Sequence, residues 1–443
     1  MDCSRIFWLL AIFIGTPVIL QAKSIGQVSP GLQEAYYKAI DPAIITDNQR
    51  ILTNDGDEDA RFGSSIAISG DTAVVGAIGV KGTDGGVFAG AVYVFVNDGV
   101  QWVEQVKLVL PNSQERDLFG KSVAISGDKL LVGAPQVGDS DAGAAYVYVR
   151  NGNAWNQQNI LTASDAAERD SFGSSVAISG ETIIVGASAD DDEARNSGSA
   201  YVFIQTDNTW SEQAKLRASD PGLRRNFGGS AVILGNTAVI GAPSFYDDQG
   251  AVYVFKRNGT VWSEEDKLQP SSVSGRRLSS DDTTPDRQVR IRRDARNYFG
   301  RSIAFSGNTI VAGSSGEDAR GRDSGAVYVF TKSGTEWREQ AKLLSDPSDK
   351  GGFGASVAFS GGTLIASGRV YDSAYLFTRS GNTWNQQGKL KPSSLPEGGS
   401  LGDYIALSGD VVMVGDTGGL GEVGIPRVGS VYVFDLAKSP SGE

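Results

Sequence analysis

The chain has 443 residues, with 57 glycines against 14 prolines, 52 acidic against 40 basic side chains, a net charge of −12, one cysteine and no histidine. Without histidine there is no Ser-His-Asp triad, no Cys-His pair and no histidine-bound zinc or iron, which leaves carboxylate, lysine, tyrosine or calcium chemistry. The negative balance opposes binding to polyphosphate, so no nucleic-acid partner is expected.

Residues 1–22 carry Arg5, an apolar run from Ile6 to Leu20 and a small residue, Ala22, where a protease would cut. This is the pattern of a secretory signal peptide. The run is short for a bilayer and is broken by Gly15 and Pro17, so no stable membrane span is expected after cleavage and the mature chain is expected to be secreted. Cys3 leaves with that peptide, so burial alone must hold the mature protein together. Residues 23–48 read as an N-terminal leader, either loose or forming a short helix with Leu32, Ala35, Tyr36 and Ile40 on one side.

From there one unit is written seven times. It opens at Phe62-Gly63, Phe119-Gly120, Phe172-Gly173, Phe227-Gly228, Phe299-Gly300 and Phe353-Gly354, with Leu401-Gly402 as a worn copy. Each opening leads into a strand such as Ser65-Ile66-Ala67-Ile68-Ser69, a tight turn, a second strand ending near Val75-Gly76-Ala77, and a third such as Ala91-Val92-Tyr93-Val94-Phe95. A fourth strand begins at tryptophan: Trp102 to Leu108, Trp155 to Ile160, Trp210 to Leu216, Trp262 to Leu268, Trp337 to Leu343 and Trp384 to Leu390. Units of about 50 residues made of short strands predict a propeller, because one unit cannot bury its own apolar face.

The seventh unit stops after Val431-Tyr432-Val433-Phe434 without a fourth strand, whereas Gln49-Arg50-Ile51-Leu52-Thr53 stands before the first unit where one belongs. The expected fold is therefore all-β: a seven-bladed propeller of four-stranded antiparallel blades over residues 49–436, its last blade completed by the N-terminal strand. Residues 437–443 form a short tail.

These units resemble the FG-GAP repeats of the integrin α-subunit β-propeller and its secreted relatives. The resemblance rests on the Phe-Gly pairs, on Gly76-Ala77, Gly133-Ala134-Pro135, Gly186-Ala187 and Gly241-Ala242-Pro243, and on the repeated Tyr-Val-Phe strands. Later copies decay to Gly313-Ser314, Ser367-Gly368 and Gly415-Asp416. The family's calcium loop lies between the Phe-Gly and the Gly-Ala-Pro, where this chain has only short turns such as Ser69-Gly70-Asp71-Thr72. A two-residue hairpin cannot surround an ion with six or more oxygens, so no metal ligand carries over and no cofactor is expected. Asp55, Asp57 and Asp59 alternate like the start of an EF-hand loop but lack its glycine and its final glutamate.

Strand alternation puts the connections between second and third strands, and those between blades, on one face, with the tight hairpins on the other. The variable face is the candidate ligand face. It carries Asp139, Asp141, Asp190, Asp191, Asp192, Glu193, Asp247, Asp248, Glu317, Asp318 and Asp323. These read either as turn residues or as a negative patch for calcium or a basic partner. The same face receives an arginine-rich insertion, residues 270–297, in which Arg290, Arg292 and Arg293 match a dibasic processing site. Asn258-Gly259-Thr260 is the single N-glycosylation sequon, on the hairpin face.

Residues that recur in every unit read as packing, so function is sought in what breaks the repeat. The expected function is a secreted, monomeric, non-catalytic binding or adhesion propeller that recognises a protein or glycan. An extracellular carboxylate-based glycan-active enzyme and a structural wall or matrix protein are the alternatives; the turn at Ser380-Gly381-Asn382-Thr383-Trp384 resembles the tail of a sialidase Asp-box but lacks its aspartate.

Overall fold

The computed structural model describes residues 43–438 except 54–58, 83–84, 139, 245–248, 272–296, 348, 350, 369–372, 396–400 and 419–427. The described residues form seven antiparallel four-stranded blades in a ring, one of them carrying an added fifth strand. Blade three shows the pattern: Phe172–Ser179 innermost, then Thr182–Ala187, Ser199–Thr206 and Thr209–Leu216 outermost. The second strand of each blade is apolar on both faces, because neighbouring blades cover both. In Thr182–Ala187 all six residues are buried.

The Phe-Gly pair joins each blade to the one before it. Each phenylalanine is fully buried and meets the third-strand tyrosine edge-on, as in Phe172 against Tyr201 at 5.4 Å between ring centroids. Its backbone bridges the glycine that opens the preceding blade's third strand, as in Gly143 with Phe172 and Gly198 with Phe227. The paired glycine turns the chain with positive φ, +87° at Gly120, where a Cβ would also lie 2.7 Å from the Ala91 carbonyl oxygen. Leu401, buried, takes the phenylalanine's place in blade seven.

Ring closure follows the sequence expectation. Gln49–Ile51 pairs antiparallel with Ser430–Asp435 as the outer strand of blade seven, and Phe62 bridges Gly429 across the seam. The Gln49 amide accepts from Trp102 N at 2.8 Å and donates to Trp102 O at 2.9 Å, fastening the closing strand to blade one. Within the segment read as a leader lies a further strand, Ala43–Thr46, which runs parallel to Gly388–Lys391 and gives blade six its fifth strand. One stretch of chain thus borders two neighbouring blades.

The outer tryptophans also join blades. Trp155, Trp210, Trp262 and Trp384 donate their indole N–H to Gln105, Gln158, Gln213 and Gln340 of the preceding outer strand. Where the glutamine position is Glu265, that carboxylate binds Lys332 at 2.7 Å, and the Trp337 indole nitrogen is buried without a partner among the described residues.

A candidate ligand face at the channel mouth

The seven inner strands enclose a central cavity of about 830 Å³. Its lining comes from residues just after the Phe-Gly pairs and just past the second strands, such as Ser64, Ser174, Ile78 and Ser188. Those are the strand ends away from the tight hairpins, so the cavity opens on the variable face. It falls within the range of small-ligand sites.

A ring of serines holds the blades around this opening. Ser65, Ser122, Ser175, Ser230 and Ser302 each donate to the Phe-Gly carbonyl of the next blade, at 2.7–2.8 Å. The glycine opposite each serine is required by this approach: a Cβ on Gly186 would stand 2.0 Å from Gly228 O. In blade six the glycine position is Ser367, and it is Ser367 that donates to Gly402 O, while Ser356 accepts from Ile405 N at 3.0 Å. The decayed motif therefore keeps the interblade bond by moving the hydroxyl to the adjacent strand. Tyr404 stands at the serine position in blade seven.

With the serines so engaged, the mouth's chemistry rests on the residues that differ between blades. Lys121, Arg301 and Arg61 line it, and no described carboxylate does, in a chain with 52 acidic residues. The Arg61 guanidinium lies 4.6 Å from the Phe88 ring centroid, and its Nε is buried without a hydrogen-bond partner among the described residues. Asn226 donates through Nδ2 to Ser188 O at 3.0 Å and leaves Oδ1 buried and unpaired among the described residues.

The acids predicted for this face divide into two groups. Asp190 and Glu317 are buried within their blades, which takes them out of any exposed ligand patch. Lys215 Nζ lies 2.7 Å from Asp165, 2.8 Å from Asp190 and 2.5 Å from Asp192, and the Tyr201 hydroxyl reaches Asp165 at 2.7 Å and Asp190 at 3.1 Å. Burial alone would raise the Asp165 carboxyl, but the hydrogen bonds from Lys215 and Tyr201 prevail and hold it below the usual carboxylate range. Lys215 is raised despite its burial by the three acids around it, and burial together with Asp165 and Asp190 pushes the Tyr201 phenol far up. Glu317 repeats the arrangement with Tyr328 at 2.7 Å and with Lys342, and Asp220 does so with Tyr253 at 2.7 Å and Lys267 at 2.8 Å.

Asp191, Asp192 and Glu193 are exposed; Asp191 accepts from Asn196 N, and Arg217 pairs with Asp192 at 2.8 Å and Glu193 at 3.8 Å. Asp318 accepts from Asp323 N at 2.8 Å, exposed Asp323 lies 3.6 Å from Arg322, and half-buried Asp141 adopts φ +55° in its turn. Local bonding of this kind is what turn aspartates provide. Among the described residues no group of three or more acidic side chains is arranged to hold a metal ion, and no helix is long and apolar enough to cross a membrane. Asn258 is exposed at the end of Ala251–Asn258, on the hairpin face. Asp139, Asp247, Asp248, Arg290, Arg292 and Arg293, together with residues 1–22, lie outside the described residues.

The solved structure of U3-55K is similar in fold, with a TM-score of 0.52 at 12% identity, covering 88% of this chain and 98% of that one. No curated protein shows detectable sequence similarity to the chain. The family model described as FG-GAP repeat matches residues 45–95, 102–148, 155–203, 210–255 and 293–330. The second, third and fourth matched stretches each start at an outer-strand tryptophan and end in the third strand of the next blade, the same offset that lets Gln49–Ile51 precede blade one yet complete blade seven. These stretches span more than half of the sequence and coincide with the blades, and the chain belongs to the FG-GAP repeat family.

Proposed function

We propose that this propeller is a secreted, non-catalytic binding module whose ligand seat is the mouth of the central channel on the variable face. The observation that carries the reading is the break in symmetry there: Lys121, Arg301 and Arg61 line a cavity in which the serines Ser65, Ser122, Ser175, Ser230 and Ser302 repeat from blade to blade. A retaining or inverting glycosidase would need two carboxylates across the opening, about 5 to 10 Å apart, and among the described residues no carboxylate lines it.

The test is an array of glycans and extracellular proteins probed with the secreted chain, beside an assay on chromogenic glycosides. Specific binding without turnover supports the module; turnover on any glycoside, or no binding to either class, contradicts it.

A further inference from the structure

We infer that the mouth is a seat for an acidic saccharide, a sugar chain bearing carboxylate or sulfate groups; this rests on the binding reading above. Immediately after the Phe-Gly pairs, one inner-strand position holds Ser64, Lys121, Ser174, Gly229, Arg301 and Ala355 in the first six blades, with Asp403 at the same place in the sequence of the seventh. Ser64 and Ser174 are engaged locally: Ser64 Oγ accepts from Ile78 N at 3.3 Å, and Ser174 Oγ donates to Gly186 O at 3.1 Å. Lys121 forms no ion pair among the described residues, although 52 acids are present in the chain. By contrast Lys215 and Lys389, each over a tyrosine ring, are neutralised, the first by three carboxylates and the second by two. Lys129 and Arg150, on the hairpin face, also lack an ion pair among the described residues but donate to Gln205 Oε1 and Thr72 Oγ1, whereas the Lys121 ammonium at the mouth has neither kind of partner among the described residues.

Arg61 adds a second unmatched group. Its contact with the Phe88 ring leaves its N–H donors unused, and the buried Nε has no acceptor among the described residues. A buried donor of this kind costs free energy until an acceptor arrives. Asn226 Oδ1 is the converse, a buried acceptor without a donor. An anion alone would satisfy the cations and leave Asn226 unpaired. A sugar acid supplies both, an anionic group for Lys121 and Arg61 and a hydroxyl for Asn226. Below them Ile66, Val123 and Ile303 offer an apolar floor for its C–H face. The cavity, about 830 Å³ within a ring of backbones, admits a sugar chain better than the broad face of a folded protein.

Calorimetry on the full secreted chain with three hexasaccharides tests this: hexagalacturonate, a sulfated oligosaccharide and neutral cellohexaose. At least one anionic probe is expected to bind, more weakly at high salt, with affinity reduced at least about tenfold by Lys121→Ser. That substitution installs the residue blades one and three already use, so thermal stability should hold. Carboxylate or sulfate preference is read from which anionic probe binds. The inference is overturned if neither anionic probe binds, or if Lys121→Ser leaves their binding unchanged. Binding of cellohexaose or of a protein, blocked by Ala355→Trp, would overturn it while leaving the binding module intact.

Discussion

Arg50 lies opposite Tyr432, its guanidinium 5.6 Å from the ring centroid, in the cross-strand register that pairs Lys215 with Tyr201 and Lys389 with Tyr375. The N-terminal strand therefore supplies the closing blade with the same cation-over-tyrosine contact that an ordinary outer strand supplies, while Ile51 fills the buried leucine position beside it.

Closure by this strand predicts that Ile51→Asp destabilises the ring by about 3 kcal/mol, since it replaces a buried aliphatic group with a charge that has no partner. Deleting residues 49–53 should lower the melting temperature by several degrees as the edge of Ser430–Asp435 is uncovered. Unchanged melting after the deletion would mean that the ring does not depend on it.

The serine bonds between blades are individually modest and collectively set the spacing around the channel. Ser175→Ala leaves Gly228 O without its 2.8 Å donor and is expected to cost about 1–2 kcal/mol in denaturant titration. Gly186→Ala should cost more, because its methyl group would stand 2.0 Å from that same carbonyl oxygen.

Lys215→Met is expected to destabilise by about 3–5 kcal/mol, because it strands the buried Asp190 charge. Adding Asp190→Asn should recover part of that loss. If the double variant is no more stable than Lys215→Met, the carboxylate is not the origin of the effect.

Asp165, Asp192 and Asp220 have lowered carboxyl pKa values in the folded chain, each with lysine or arginine partners. A lowered folded value means the unfolded chain binds protons first as pH falls, so these groups contribute stability that is full above about pH 4–5 and is lost below it as each folded carboxyl protonates. Lys215 and Lys389 are raised, so their contribution is full below about pH 10 and fades as pH rises through their folded values. Melting temperature against pH should show both flanks, and Lys215→Met should flatten them.

The blades were legible because their signals are local and repeated: Phe-Gly, the Tyr-Val-Phe strands and the tryptophans each recur at one position of the unit. The closing strand was legible as a missing copy restored at the other end of the chain. Ala43–Thr46 was not, because a parallel strand added to a blade edge leaves no trace in the repeat. Asp190 and Glu317 read as surface acids because composition does not report burial; the lysines that neutralise them lie 25 residues further along each chain segment, in the outer strands. The cations at the mouth were hidden for the opposite reason, since Lys121 and Arg301 each look ordinary until the ring brings them together.

The most direct test of the ligand seat compares two bulky substitutions on opposite faces. Ala355→Trp fills the mouth at a position that accepts lysine and arginine in other blades, whereas Asp128→Trp decorates an exposed hairpin turn. Binding of whichever ligand the array identifies is predicted to be abolished by Ala355→Trp and unaffected by Asp128→Trp, with both variants melting near the parent. Binding that survives Ala355→Trp, or that is lost only with Asp128→Trp, would contradict the account.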